Sequence, residues 1–413
     1  MTGSSAEATA IPVIGSDAEA VAAARRYAES IADTVIERDR SAAVPVEALA
    51  ALDASGLLGI TAPAEHGGAE VSPRTLAEVV RTIAAVDPAI AQIPQGHFLF
   101  VDVLTVWGTA PQRRLLFAEI LAGARLGSGL AERGGRHAQD LGTRLRPDGT
   151  RLRPDGTGLR LDGTKYYSTG SITARWIGVS ALDEADRLVL AFVERDTPGV
   201  SVDDDWDVMG QRATVSGTTT LRAVPVDPSL VIPYHRAFEV PQQLGARAQL
   251  VHAAIQVGIA GGALRDAGEF VRTRARPFFE AARGGWVDSA AQDPHTILRY
   301  GRLATRVRAA EELLRWAADR LHEVGRSPRD ARQAAEGSLA VAQAKAFGSE
   351  VAAEVASDLF ALSGASATDE RHDLSRHWRN ARTHASHDPV DWKYHHVGNF
   401  LLNDVLPPNH GQL

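Results

Sequence analysis

The sequence predicts a chain in three parts: helices first, then β structure, then a four-helix bundle. Helical spacing of apolar residues dominates before about residue 125. Short apolar or alternating runs broken by Gly, Asp and Pro fill roughly residues 126–235. Long helical periodicity then resumes after Pro241. A chain of 413 residues, 44% apolar, is long for one compact core and suits several domains.

The expected boundaries follow those changes. Residues 1–16 read as a disordered N-terminus, 17–125 as a helical domain, 126–235 as a β-barrel or sandwich, and 236–413 as the bundle. Asp17 to Arg38 has helical spacing, and "VPVEALAALDASG" brings a stop at Gly56. Further helical patterns cover roughly 75–86 and 97–122. Within the β region, "RLRPDGT" occurs at 144–150 and again at 151–157, each copy with an Asp-Gly turn signal. A duplication tolerated at an exposed loop tip explains it better than a basic hairpin for an anionic partner. After Pro241 a long helix ends near Pro277, two more follow, and residues 375–399 complete the set.

Composition removes several functions. With no cysteine there are no disulfides, thiolate nucleophiles, iron–sulfur clusters or cysteine-held zinc. A net charge of −7 argues against a nucleic-acid partner. No basic region precedes an apolar one at the start, and no uninterrupted apolar run approaches the ~20 residues of a membrane helix. A cytoplasmic location without membrane contact is expected.

Residues 375–399, "SRHWRNARTHASHDPVDWKYHHVGN", stand out for their histidines. On a helix, His377 and His384 lie about 20° apart and His387 about 80° from His377. Leu374, Ala381 and Ala385 share that face, while Arg379 and Arg382 point elsewhere. Asp388-Pro389 should end the helix. The three imidazoles are core groups bonded to carbonyls, or catalytic groups beside a cofactor, or else His384 and His387, at i, i+3, bind a metal with Asp388. No compact third protein ligand supports the metal, so no metal is expected.

"GLLGITAPAEHGG", "GTKYYSTGS", "MGQRATVSGTTTLRAVPVDPSLVIP" and "LFALSGASAT…RHWRNART", in this order, resemble the acyl-CoA dehydrogenase superfamily over nearly the whole chain. "HFLFVDVL", "VRTRARPF" and the histidine stretch are most similar to its flavin-dependent monooxygenase branch, that of the dibenzothiophene monooxygenases and sulfur-acquisition oxidoreductases. The resemblance implies an N-terminal helical domain, a middle β-barrel, a C-terminal four-helix bundle, a homotetramer, and a flavin between barrel and bundle.

The dehydrogenases remove an α-proton with a carboxylate, usually a glutamate nine residues after the arginine matched by Arg379. That position here is Asp388, one methylene shorter and followed by proline, and no glutamate follows Glu370. The other base position of the family falls in "ARAQLVHAAIQVG", which has no carboxylate. The resemblance therefore implies a monooxygenase using reduced FMN, rather than FAD, and O2 through a C4a-(hydro)peroxyflavin. Its substrate would be a small organosulfur compound or an amine.

By the same resemblance His387 is the principal group near the flavin, with His384 second and His97 approaching from the N-terminal domain. Tyr167 packs on the ring, and Ser168 or Thr169 bonds its edge. Ser128 stands where relatives often carry asparagine. Trp206 and Arg212 border the site. Arg274 and Arg276 suit the phosphate, acting across a subunit interface, with Ser363, Gly364 and Ser366 in the same region. No GxGxxG follows a strand, so a separate NAD(P)H:flavin reductase is expected to supply reduced flavin. The alternatives are an FAD-dependent acyl-CoA dehydrogenase using Asp388 or a histidine, and a non-catalytic tetrameric scaffold or metal-binding protein.

Overall fold

The computed structural model describes residues 11–149 and 158–413. Residues 1–10 of the segment expected to be disordered lie outside that range, but 11–16 are placed and packed. Ile14 is buried, and the Ser16 hydroxyl caps α1 (Asp17–Ala32) by accepting from the Glu19 N–H.

The helix expected over 17–38 is two helices, because Thr34 leaves the helical region before α2 (Val35–Ser41). Next come α3 (Val46–Asp53), α4 (Pro73–Ala84), α5 (Pro88–Gln92), α6 (Gln95–Trp107) and α7 (Ala110–Leu121). The expected helix over 97–122 is also divided. Gly108 is extended, and Thr109 forms a capping box with Gln112 that starts α7 afresh. Residues 88–107 are long and apolar enough to span a membrane, with mean hydropathy 1.2, although the sequence shows no unbroken apolar run there. They are split between α5 and α6 and mostly buried inside the protein.

The middle of the chain forms one mixed sheet. Its strands are β1 (Leu126–Gly129), β2 (Arg144–Pro147), β3 (Leu159–Lys165), β4 (Trp176–Leu182), β5 (Leu188–Glu194), β6 (Val200–Val202), β7 (Thr219–Val226) and β8 (Val231–Ile232). They pair in the path β6-β7-β3-β2-β4-β5-β8, with β1 parallel to β4. Among the described residues no pairing closes this path, since its ends are strands of three and two residues. The first repeat copy provides β2, which pairs with β3 up to a 2.7 Å bond from the Asp148 N–H to the Gly158 carbonyl. The second copy, 151–157, lies outside the described residues.

The C-terminal region holds α8 (Leu244–Thr273), the short α9 (Phe279–Arg283), α10 (Pro294–Val324), α11 (Ala331–Ser363), α12 (Ser375–Ala385) and α13 (Val390–Asn403). Three helices are long. Where a fourth long helix is expected stand two shorter ones, α12 and α13, divided at Asp388-Pro389, where proline has no N–H to continue a helix. α8 is buried along nearly its whole length and lies against α4, α10, α11 and α12. Gly262 permits the contact with α4, since a Cβ there would strike the Ala85 carbonyl. One apolar core therefore runs from Ile14, Leu49 and Ile83 through Val257, Leu314 and Val355 to Ala381.

Polar ties hold these regions in register. Arg247 of α8 meets Asp102 of α6 at 2.8 Å, both buried, and Arg326 reaches the same carboxylate at 3.1 Å. Losing one partner of such a pair costs about 3–5 kcal/mol. His97 on α6 ties the helices to the sheet. Its Nε2 donates to the Leu58 carbonyl at 2.9 Å, and its Nδ1 accepts from the Leu126 N–H of β1 at 3.2 Å. Fully buried with both nitrogens engaged, His97 has none free for a flavin, which corrects the expectation that it approaches the site.

Burial lowers the His97 pKa from 6.5 to about 4. The unfolded chain takes up a proton near pH 6.5 and the folded chain resists until about pH 4, so stability is full above 6.5 and declines as pH falls between those values. In urea unfolding, His97→Gln should lose less stability than wild type from pH 6.5 to 4, by about 3 kcal/mol. Parallel pH curves for the two proteins would remove His97 from this role.

Candidate active site

The site is built where α12 meets α8 and the sheet's loops. His384, on α12, is buried and its Nε2 shares a 3.0 Å hydrogen bond with the Nδ1 of His252 on α8. His387, just past the end of α12, stacks on His252 with ring centroids 4.1 Å apart. Its side chain is 42% exposed, so the trio opens to solvent at that edge. His377 does not join them. It bonds Asp266 of α8 at 2.8 Å, more than a turn away along α12.

Beneath the imidazoles lies a buried charge cluster. The Asp388 carboxylate meets Lys345 of α11 at Oδ1, Lys393 of α13 at Oδ2 (2.6 Å), and the His387 Nδ1 at 3.2 Å. Lys345 also donates to Gln249 Oε1 at 2.5 Å. Burial alone would raise the Asp388 pKa. The His387 hydrogen bond and the charges of Lys345 and Lys393 overcome it and hold the carboxyl far below the usual range. Burial drives all three imidazoles the other way, to below 6.5, and Lys345 adds to it. Lys345 itself is lowered by burial to about 8, against the pull of Asp388. At neutral pH the site therefore carries neutral imidazoles above two ammonium groups and one carboxylate.

A chain of hydrogen bonds connects α12 to the turn at 166–171. The Gln211 N–H donates to Asn380 Oδ1 at 2.5 Å. Thr214 donates to the Gln211 carbonyl at 2.9 Å, its hydroxyl meets that of Ser216 at 2.8 Å, and Ser216 meets Thr169 Oγ1 at 2.7 Å. Gly210 lies so close to α12 that a Cβ would run into the Arg379 carbonyl. Tyr167, Gln211 and Val215 all adopt left-handed backbone, with φ of 57°, 54° and 45°. Such strain in non-glycine residues, the branched Val215 above all, gathers where a site over-determines its backbone.

The turn presents its side chains unevenly. Tyr167 is 47% exposed and meets Trp206 edge to face at 5.9 Å, and the Trp206 indole donates to the Gln211 carbonyl at 2.9 Å. The Ser128 N–H donates to the Thr169 carbonyl at 3.2 Å, which places β1 behind the turn. Thus the structure brings Tyr167, Ser168, Thr169, Ser128 and Trp206 into one neighbourhood, tied to α12. Arg212 lines a separate cavity of about 620 Å³ with Asp39, Asp207, Met209 and Arg379, and none of the three clustered histidines borders it.

The expected phosphate residues sit elsewhere. Arg274 and Arg276 are exposed beyond the far end of α8, with Arg274 some 22 residues, about 33 Å along the axis, from His252. Gly364 and the exposed Ser366 lie past the end of α11, and Ser363 ends that helix. Because α8 and α11 run parallel (Gln243 bonds the Ala334 carbonyl at 2.8 Å), these residues share one end of the helical region. Within one chain they do not converge on the histidines.

Whether these residues suit a flavin can be tested on unspent polar atoms. Among the described residues the buried Ser168 Oγ, both polar side-chain atoms of Gln211, Gln256 Oε1 and His384 Nδ1 have no partner. Buried polar groups are normally satisfied, so these call for a ligand bearing donors and acceptors. The polar edge of an isoalloxazine has both. Groups of three or more side chains able to hold a metal are absent among the described residues.

Sequence reasoning missed His252, Lys345 and Lys393. A single imidazole in the apolar run "LVHAAIQVG" reads as a core residue. The solitary Lys345 in "AVAQAKAFG" was the better signal, because lysine is buried only when paired.

The chain matches the acyl-CoA dehydrogenase N-terminal domain over residues 17–124 and the C-terminal domain over residues 250–392. It is 32% identical to a dibenzothiophene monooxygenase of Rhodococcus erythropolis, over 96% of this chain and 96% of that one. It is 30% identical to the probable FMNH2-dependent monooxygenase SfnC of Pseudomonas putida, over 94% of this chain and 96% of that one. The crystal structure of FMN-bound TdsC from Paenibacillus sp. A11-2 aligns with a TM-score of 0.89 at 30% identity, covering 95% of this chain and 100% of that chain. With an imidazole cluster above a neutralised carboxylate, and relatives of this kind along its whole length, the chain belongs to the acyl-CoA dehydrogenase superfamily, in its flavin-dependent monooxygenase branch.

Proposed function

We propose that this protein is the oxygenase of a two-component system, taking reduced FMN from a separate NAD(P)H:flavin reductase and using O2 to oxygenate a small organosulfur compound. The observation that carries this is the state of Asp388. A carboxylate held by two ammonium groups and an imidazole is a poor base, so removal of an α-proton in the dehydrogenase manner lacks its agent. Reduced FMN, when bound, supplies the two electrons with which one oxygen atom of O2 is transferred to substrate and the other leaves as water.

The chain's own residues do the rest. Tyr167 and Trp206 provide aromatic walls, and the hydroxyls of Ser168 and Thr169 bond the polar ring edge. With Asp388 ionised, His387 carries its proton on Nδ1 and presents Nε2 as an acceptor, so it can take a proton from a reacting group and return it. His384, held by His252, stands behind it. Packing keeps water from His252 and His384, which are buried, while the exposed edge of His387 is where the flavin and substrate would complete the enclosure that protects a reactive oxygen species from wasteful release.

In the same reading α8, α10, α11 and the α12–α13 pair make up the family's four-helix bundle, and the sheet is its barrel. The exposed Phe278, Phe279, Trp286, Leu401 and Leu402 support a homotetramer, in which Arg274 and Arg276, with Ser363, Gly364 and Ser366, serve the flavin phosphate of a neighbouring chain. The enzyme works in the cytoplasm, where a reductase keeps flavin reduced.

His387→Ala should bind FMN as wild type does, yet lose at least ten-fold in product formed per O2 consumed, with H2O2 making up the difference. An unchanged product-to-peroxide ratio would set His387 aside. Incubated anaerobically with acyl-CoA thioesters, the oxidised flavoprotein should keep its flavin colour, and bleaching would restore the dehydrogenase. Because Lys345 loses its proton near pH 8 and Asp388 then keeps one cation fewer, coupling of O2 use to product should fall above that pH. Lys345→Arg should abolish this alkaline limb.

A further inference from the structure

We propose that Lys393 is a positioning residue of the active site, and that the segment 409–413 acts through it to fix the orientation and proton placement of His387. The consequence for oxygenation rests on the function proposed above, whereas the geometry does not.

Lys393 is buried and spans two partners. It donates to the Gln412 carbonyl and meets Asp388 Oδ2 at 2.6 Å. The segment that supplies Gln412 is firmly seated. Asn409 donates to the Phe238 and Val240 carbonyls at 3.0 and 2.8 Å and accepts from Gln242 at 2.9 Å. Leu413 is buried against Gly245, at the start of α8, where a Cβ would come within 2.5 Å of the Leu413 oxygen. Along that helix, about two turns further on, stands His252, on which His387 stacks.

Asp388 has two oxygens and more than two claimants. Lys345 and His387 share Oδ1, and Lys393 holds Oδ2. Without Lys393 the carboxylate would be free to turn, and its charge would be offset by one ammonium instead of two. His387 would then face a stronger acceptor at Nδ1 and a weaker positive field, and would hold a second proton more readily. The groups facing His387 are His252 from α8, His384 from α12, Lys345 from α11, Asp388, and Lys393 from α13. Lys393 is the member of this set that both pairs its charge with the carboxylate and donates to the 409–413 segment.

The test uses 15N NMR of the histidine rings in the flavin-free protein, which reads tautomer and titration without turnover. In wild type His387 should carry its proton on Nδ1. In Lys393→Met its titration midpoint should move up by about one pH unit, a ten-fold gain in proton affinity, and Lys393→Arg should stay near wild type. Asn409→Ala, which loosens the segment and leaves every charge in place, should shift the midpoint in the same direction by less. An unmoved His387 in Lys393→Met overturns the proposal. Movement there but none in Asn409→Ala overturns the role given to 409–413. A wild type with the expected ring spectrum that fails to oxygenate any organosulfur compound would sink the proposed function and leave this assignment intact.

Discussion

Two ammonium groups and an imidazole converge on the carboxylate of Asp388, and the chemistry open to this site follows from that convergence. A buried carboxylate left alone would protonate or find water. Here its charge is more than balanced, so it stays ionised, and the field of the surplus ammonium charge opposes protonation of the neighbouring rings. Burial already resists charging those rings. The outcome is a group of neutral imidazoles at ordinary pH, each able to donate at one nitrogen and accept at the other. Such an arrangement suits proton traffic with an oxygen species. Breaking a buried pair of this kind costs about 3–5 kcal/mol, so the cluster is structural and chemical at once.

The second constraint is the strained loop between the sheet and α12. Left-handed backbone at Gln211 and Val215 costs about 1–3 kcal/mol each, offset by the bonds the loop makes. Its N–H at Gln211 goes to Asn380, its hydroxyls run on to Thr169, and Gly210 lets it press on the α12 backbone. Those contacts fix the distance between the turn bearing Tyr167 and the helix bearing His384. Neither element would hold that relation through apolar packing alone.

Much of this is legible in the amino-acid order. The succession of helices, sheet and helices follows from hydrophobic period, and the end of α12 follows from Asp388-Pro389. The helix breaks at Thr34 and Gly108 are hidden because apolar spacing continues across them, while the local backbone turns and the Thr109 cap that restart the helices are short and polar. His97 misleads for a different reason: its partners are a backbone carbonyl and a backbone N–H, which have no signature in sequence. His252 meets His384 across 132 positions, and only the antiparallel packing of α12 on α8 brings them together. The arginines beyond α8 are recognisable by type, but their distance from the histidines depends on helix length in three dimensions.

The apolar core shared by the first and last helices has a consequence for how the molecule comes apart. Residues before 99 and after 245 line one interior, while the sheet between them has a smaller interior of its own, around Leu145, Ile177 and Val224. The chain therefore resembles a helical body with a β module spliced into its middle. Melting should report the two helical stretches as a single cooperative unit, however far apart they are in order of synthesis. A ribosome must release the final helices before the opening ones acquire a stable partner.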